Sequence, residues 1–136
     1  MKTCVLATLS VLVIAACSIQ KQNKSNTQIQ EIVVDNSDSI EYELVVFDAK
    51  FETFLVTQPY PKSYYSDQYY QNWNNRYCVE WNSRNANPLR YGDFYETQIP
   101  YDTTVDYGLD FNFKLYQYFQ FIEKEYGIVL VNRRGP

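Results

Sequence analysis

The sequence contains no histidine among its 136 residues. Histidine is the usual general base near neutral pH and the commonest metal ligand in proteins. Its absence excludes Ser-His-Asp and Cys-His catalytic arrangements, and with few cysteines it also removes the usual zinc sites. Paired carboxylates are the catalytic arrangement that remains, and we expect neither a metal ion nor another cofactor.

Basic residues are in the minority. Lysine and arginine number 12 against 16 aspartates and glutamates, which gives a net charge of −4, and they form no cluster. Proteins bind nucleic acids largely by neutralising phosphates with lysine and arginine. We therefore expect no nucleic acid as a partner.

Long hydrophobic runs are also missing. The main apolar run, residues 4–16, is shorter than the ~20 residues that span a bilayer. It follows the basic start Met1-Lys2 and precedes a polar stretch at residues 18–30, as in a secretory signal peptide. An uncleaved membrane anchor or a buried strand is the alternative, and the polar stretch disfavours both.

The junction Ile14-Ala15-Ala16-Cys17 resembles the lipobox of bacterial lipoproteins. The resemblance implies that residues 1–16 are removed as a signal peptide and that Cys17 is lipidated, typically with three acyl chains such as palmitate. One chain binds a membrane only reversibly, so several are needed for durable anchoring. Ser18 stands where inner-membrane lipoproteins often carry aspartate. The resemblance thus implies the cell envelope, at the outer membrane facing the periplasm.

Cysteine is too scarce for a disulfide framework. The three cysteines are Cys4, Cys17 and Cys78; the first leaves with the signal peptide and the second carries lipid. Cys78 is then left without an intramolecular partner, even in an oxidising compartment. A lone helical cysteine is usually a small buried apolar residue, and we favour this interpretation over a reactive thiol.

Composition divides the remaining chain. Residues 17–39 are rich in Gln, Asn, Ser and Thr and contain no aromatic residue, which predicts a flexible stalk because little surface can be buried. All 14 tyrosines lie between Tyr42 and Tyr126, and large aromatic rings bury much surface each. We therefore predict a folded domain at residues 40–131 and a frayed C-terminus at residues 132–136.

Residue patterns predict a small single α+β domain, in which two main amphipathic helices pack on a few short strands. The long helices are expected from an N-cap at Ser66 to about Asn85, and from Asp106 or Asp110 to a C-terminal glycine at Gly127. A shorter helix is predicted at residues 50–57. Strands are predicted at residues 41–48, as a central strand, and more weakly at 32–34, 95–99 and 128–131.

Several short segments of the domain form a recognisable pattern: LVVFD (residues 44–48), FETF (51–54), YYS (64–66), YCVEWN (77–82), DYG (106–108), LY (115–116) and YF (118–119). In these segments the domain resembles an uncharacterised family of short, tyrosine-rich bacterial lipoproteins that is classed as a domain of unknown function. The resemblance implies an envelope location and the extent of the domain, but no activity, cofactor or catalytic residue.

The surplus of tyrosine and tryptophan has two interpretations. Large rings build the core of a small domain, and they are also enriched at binding surfaces. We assign Trp73, Trp81, Phe111 and Phe119 to the core. The tyrosines in loops or near element ends form the candidate contact surface, namely Tyr60, Tyr64, Tyr65, Tyr91 and Tyr101.

The favoured function is a membrane-tethered envelope lipoprotein that acts as a non-enzymatic interaction or structural module. Its partners would be the membrane, through the lipid anchor, and an envelope protein or glycan. The alternative is a small carboxylate-dependent glycan-acting enzyme or a glycan-binding module. For the enzyme, Glu80 and Asp93 are the acids to watch, although Glu80 has Arg76 and Arg84 at helical spacing and an ion pair is the simpler interpretation.

Overall fold

The structure is a computed structural model and describes residues 29–36 and 39–133. The described part of the chain begins with an antiparallel hairpin. Strand β1 (Ile29–Asn36) pairs with strand β2 (Ser39–Val46), from Ile29 opposite Val46 to Asn36 opposite Ser39. Residues 29–36 are therefore strand, within a segment that we predicted as flexible stalk. The β-branched patch at residues 32–34 favours an extended backbone, and pairing with β2 satisfies its hydrogen bonds.

Strand β2 matches the predicted strand but not its predicted position in a sheet. Leu44 and Val46 are buried, whereas Phe47, just after the strand, is 55% exposed. Within the described residues, β2 pairs with β1 alone, so the prediction of a central strand was wrong. A hairpin with one face on a helical layer needs only that face to be apolar.

Helix α1 (Ala49–Val56) begins where the sequence predicted a short helix. The Asp48 carboxylate accepts a hydrogen bond from the backbone N–H of Lys50 at 2.9 Å, and thereby caps the helix. Phe51 is completely buried, and its ring lies 5.5 Å from that of Phe121. This aromatic contact joins α1 to the last helix.

Helix α2 (Asp67–Asn85) confirms the predicted helix and its N-cap. The Ser66 hydroxyl oxygen accepts a hydrogen bond from the Tyr69 N–H at 3.2 Å. We assigned Trp73 to the core, but it is only half-buried, while its neighbour Asn74 is fully buried. The residues of α2 that are buried are Tyr70, Asn74, Tyr77, Cys78 and Trp81.

Helix α4 (Gly108–Tyr126) is the centre of the domain, since α1, α2 and β2 all pack on it. It is therefore buried on more than one face. The helix starts at Gly108, whose N–H donates to the Asp106 carboxylate at 3.1 Å. It ends at Gly127, which has a φ of 66° as the predicted C-terminal glycine should.

The segment between α2 and α4 contains the short helix α3 (Pro88–Tyr91) and a 3-10 turn (Asp93–Tyr95). The predicted strand at residues 95–99 is absent, because side chains of α2 bind this backbone instead. Asn82 exchanges two hydrogen bonds of 2.9 Å with the backbone of Ile99, and the Trp81 indole N–H donates to the Thr97 carbonyl at 2.8 Å. The predicted strand at residues 128–131 is also absent.

The fold class is α+β, as predicted: a two-stranded hairpin and helices around one aromatic core. Among the described residues, no helix combines the length and apolar character needed to cross a bilayer. The predicted signal peptide, residues 1–16, and Cys17 lie outside the described residues, as do residues 134–136.

Candidate functional site

Four tyrosines form a continuous row of rings on the surface, which we call the tyrosine ladder: Tyr60, Tyr64, Tyr65 and Tyr69. Ring centroids are 4.2 Å apart in the stacked pair Tyr60–Tyr64 and 4.0 Å apart in the stacked pair Tyr65–Tyr69. An edge-to-face contact of 4.7 Å between Tyr64 and Tyr65 joins the pairs. The first three rings are 55%, 52% and 39% exposed. Three predicted contact residues thus lie together.

Local sequence explains the position of the ladder. Pro59 and Pro61 prevent α1 from continuing, and a 3-10 turn (Lys62–Tyr64) follows. The Tyr70 hydroxyl donates to the Lys62 carbonyl at 3.0 Å, which holds this turn against α2. The Lys62 ammonium also forms an ion pair with Asp110 at the start of α4. The exposed rings are therefore carried by a turn that is attached to both long helices.

A groove of about 390 Å³ lies beside the ladder, between the end of α1, the turn and α4. This volume is within the ~300–1,000 Å³ range of small-molecule sites. None of the described residues that line the groove is acidic. Its walls combine rings, amides and cations, including Phe54, Tyr60, Tyr65, Gln117, Lys124 and Arg133.

Arg133 is the least expected member of the groove. We predicted residues 132–136 as a frayed end, but the Arg133 guanidinium donates from Nη2 to the Tyr77 hydroxyl and to Gln120 Oε1, both at 2.6 Å. Its central carbon lies 4.9 Å from the Trp73 ring and 5.3 Å from the Tyr116 ring. Contacts with both long helices therefore hold the guanidinium in place.

The structure places the other two predicted contact tyrosines away from the ladder. Tyr91 is half-buried on α3, with the Arg84 and Arg90 guanidiniums 5.3 Å and 5.2 Å from its ring. Tyr101 is half-buried, stacks on Tyr107 at 5.0 Å, and donates its hydroxyl hydrogen to Asn112 Oδ1 at 2.7 Å. Both tyrosines therefore make contacts that stabilise the domain.

Two carboxylates, those of the candidate acid Glu80 and of Asp102, have structural partners. Glu80 accepts from Arg84 Nε at 2.7 Å, and Arg84 Nη1 also donates to the Tyr95 hydroxyl at 2.9 Å. Asp102 accepts from the backbone and side chain of Thr104, and these hydrogen bonds lower the pKa of its carboxyl. Within the described residues, no group of three acidic or cysteine side chains is arranged to hold a metal ion. These contacts assign the named acids to ion pairs and turns.

Cys78 is 3% exposed on the inner face of α2, and burial raises the pKa of its thiol. Since the thiolate is the reactive form, we expect native Cys78 to resist an aromatic disulfide reagent and to react once urea unfolds the protein. The measurement requires Cys4→Ser and Cys17→Ser in the same chain. Asn75→Cys, at an exposed position of α2, is the reactive control. Labelling of native Cys78 as fast as this control would contradict the prediction.

The buried tyrosine hydroxyls predict that the protein becomes less stable at alkaline pH. Burial raises the pKa of Tyr70, Tyr101, Tyr116 and Tyr118 above the ordinary value of 10. Above this pH the unfolded chain loses protons that the folded chain keeps, so stability falls as pH rises. We expect the urea midpoint to decrease from about pH 8 to about pH 11.

Tyr118→Phe is the matched control for this pH dependence. The Tyr118 hydroxyl is buried without a hydrogen-bond partner among the described residues. Its removal should leave stability near pH 8 unchanged or higher, and should reduce the alkaline loss. A urea midpoint that does not change between the two pH values in the parent protein would refute the prediction.

The fold and its surface define a small α+β domain with an aromatic core and an exposed row of tyrosines next to a groove without acidic lining. The chain belongs to the family of unknown function DUF6146, whose sequence model matches residues 4–134. This confirms the expected membership of an uncharacterised family. No curated protein and no solved structure gives a significant match.

Proposed function

We propose that this protein is a lipid-anchored module of a bacterial cell envelope that binds a neighbouring molecule without catalysis. The observation that carries the proposal is the tyrosine ladder, with three rings that are 55%, 52% and 39% exposed in contact with one another. Tyrosine is enriched at binding surfaces because its ring is apolar and its hydroxyl forms hydrogen bonds.

The order of the ladder also supports binding. Ordering flexible side chains opposes association, at about 0.5–1.5 kcal/mol for each one that becomes immobile. Stacking at 4.2 Å and 4.0 Å already restricts the four rings in the free protein. A partner would therefore meet a surface that loses little further conformational freedom.

The anchor is supported by sequence. Ile14-Ala15-Ala16-Cys17 resembles a lipobox, and the family match at residues 4–134 includes it. Strand β1 starts at Ile29, 12 residues after Cys17 (29 − 17), so the connecting chain reaches at most about 42 Å. The ladder would thus sample only molecules close to the membrane that carries the lipid.

The anchor is tested by growing cells with labelled palmitate. We expect label on the parent protein and none on a Cys17→Ala variant. Recovery of the parent protein at full length and without label would refute lipid anchoring. Protease treatment of intact and of permeabilised cells then tests sidedness, and cleavage only after permeabilisation agrees with the periplasmic face.

The contact surface is tested by a photo-crosslinking amino acid at position 64. The same amino acid at position 89 is the control, because Leu89 is fully exposed and belongs to α3, not to the ladder. We expect position 64 to give one recurring adduct in cells and position 89 to give none. No adduct at position 64, or the same adducts at both positions, would contradict the proposal.

A further inference from the structure

We infer that the groove beside the tyrosine ladder binds a saccharide that carries a carboxylate. This inference rests on the proposed function and names the ligand class of the same surface. It combines three features of the groove walls: fixed positive charge, flat aromatic faces, and a buried amide with unused hydrogen-bonding capacity.

The first feature is positive charge. The groove contains Lys124 and Arg133 and, among the described residues that line it, no acidic side chain, although the whole chain has a net charge of −4. Arg133 Nε and Nη2 are held by Tyr77 and Gln120. The Tyr116 hydroxyl also forms a hydrogen bond with this guanidinium. A guanidinium held in a fixed position in the groove wall is suited to bind a carboxylate.

The second feature is the pair of tyrosines in the groove wall. Tyr60 and Tyr65 line the groove. The ring of Tyr60 stacks on that of Tyr64, and the ring of Tyr65 stacks on that of Tyr69. Tyr64 and Tyr69 do not line the groove. Tyr60 is 55% exposed and Tyr65 is 39% exposed, so part of each ring is accessible to a ligand. Pyranose rings present flat C–H surfaces that pack on such aromatic faces.

The third feature is Gln117, which lines the groove from α4 and is only 8% exposed. Its Oε1 has no hydrogen-bond partner among the described residues. A buried acceptor without a partner is unfavourable, and a sugar hydroxyl is a suitable donor. The neighbouring Gln120, whose Oε1 accepts from Arg133, lines the same wall.

The three features together select the ligand class. A simple anion would use Arg133 and leave the rings unused, whereas a neutral sugar would leave the guanidinium unused. A sugar acid uses both kinds of group, and a volume of about 390 Å³ suits a ligand of one or two rings.

The test uses full-length protein in a detergent without a sugar headgroup, and isothermal titration calorimetry as the measurement. The probes are digalacturonic acid and its methyl ester, which has the same rings without the charges, with inorganic phosphate as a third probe. We expect saturable binding of the acid and about tenfold weaker binding of the ester, the ratio typical of losing one charged hydrogen bond.

Variants connect the binding to the groove. Arg133→Gln should weaken binding of the acid about tenfold and change binding of the ester little, because only the acid uses the charge. Gln117→Leu keeps the side-chain size and should weaken both sugars. Arg90→Gln is the control, since Arg90 lies over Tyr91 outside the groove and should change neither affinity.

Each outcome either supports or overturns the inference. Equal affinity for acid and ester, phosphate binding as tight as the acid, or no saturable binding up to about 10 mM of the acid would overturn it. If the acid fails but position 64 still gives its recurring adduct in cells, the proposed function stands and only the ligand class is wrong. If both fail, both are refuted.

Discussion

Replacing Trp81 with alanine is expected to lower the free energy of unfolding by about 3–5 kcal/mol. The side chain is 2% exposed, and its ring lies 4.9 Å from that of Tyr95 and 5.9 Å from that of Tyr118. The substitution would open a cavity between α2, α4 and the segment that follows α2. It would also remove the indole N–H that donates to the Thr97 carbonyl at 2.8 Å.

Urea unfolding followed by circular dichroism measures this loss. Trp81→Phe keeps an aromatic ring and loses the hydrogen bond, so we expect it to be clearly less destabilising than the alanine variant. Val79→Ala, at a position on α2 that is 64% exposed, is the control for the helix surface and should change stability little. A loss below about 1 kcal/mol for Trp81→Ala would show that the ring is not in the core.

The second large effect is expected for Asn112→Leu, at about 2–4 kcal/mol, because two half-buried polar groups, those of Asp67 and Tyr101, would each lose a partner. Asn112 is completely buried in α4. Its Nδ2 donates to Asp67 Oδ1 at 2.8 Å, and its Oδ1 accepts from the Tyr101 hydroxyl at 2.7 Å. One amide thus joins the start of α2 to the loop before α4.

A double-mutant cycle tests this explanation. In the Asn112→Leu variant the Tyr101 hydroxyl has lost its acceptor, so adding Tyr101→Phe should be less destabilising than the same change in the parent protein. Denaturation by urea gives the four free energies. Additive effects of the two substitutions would mean that no such hydrogen bond contributes to stability.

Local signals are sufficient to predict α1, α2 and α4, but not the short helix α3. Ser66 marks the start of α2, and Gly127 the end of α4, because capping depends on residues within one turn of the helix. The core assignment is confirmed for Trp81, Phe111 and Phe119, which are all buried. The fold class follows from these elements together with the strand pattern of residues 41–48.

The errors concern contacts between residues that are distant in sequence. Asn74 and Asn112 are polar and would be expected on the surface, yet both are fully buried because each binds a partner at least 38 residues away. Asn82 binds the backbone of Ile99, and residues 95–99 therefore need no strand neighbour. No periodicity in the sequence reveals such pairs.

The candidate site was predictable in part. The sequence singles out Tyr60, Tyr64 and Tyr65 because they fall in loops or near element ends, and the structure brings these three together. Arg133 was missed because its partners, Tyr77 and Gln120, come from two different helices. The residues next to Arg133 in the sequence do not indicate that distant side chains bind its guanidinium.

The position of Arg133 bears on how the molecule is handled at the bench. Any affinity tag fused after Pro136 would be separated by only three residues (136 − 133) from a guanidinium that lines the groove, close to the rings that bind in our proposal. A tag ahead of Cys17 would be lost if the leader is cleaved. An insertion at Leu89, whose side chain is fully exposed on α3, leaves both ends of the polypeptide untouched and is the better choice for purification and imaging.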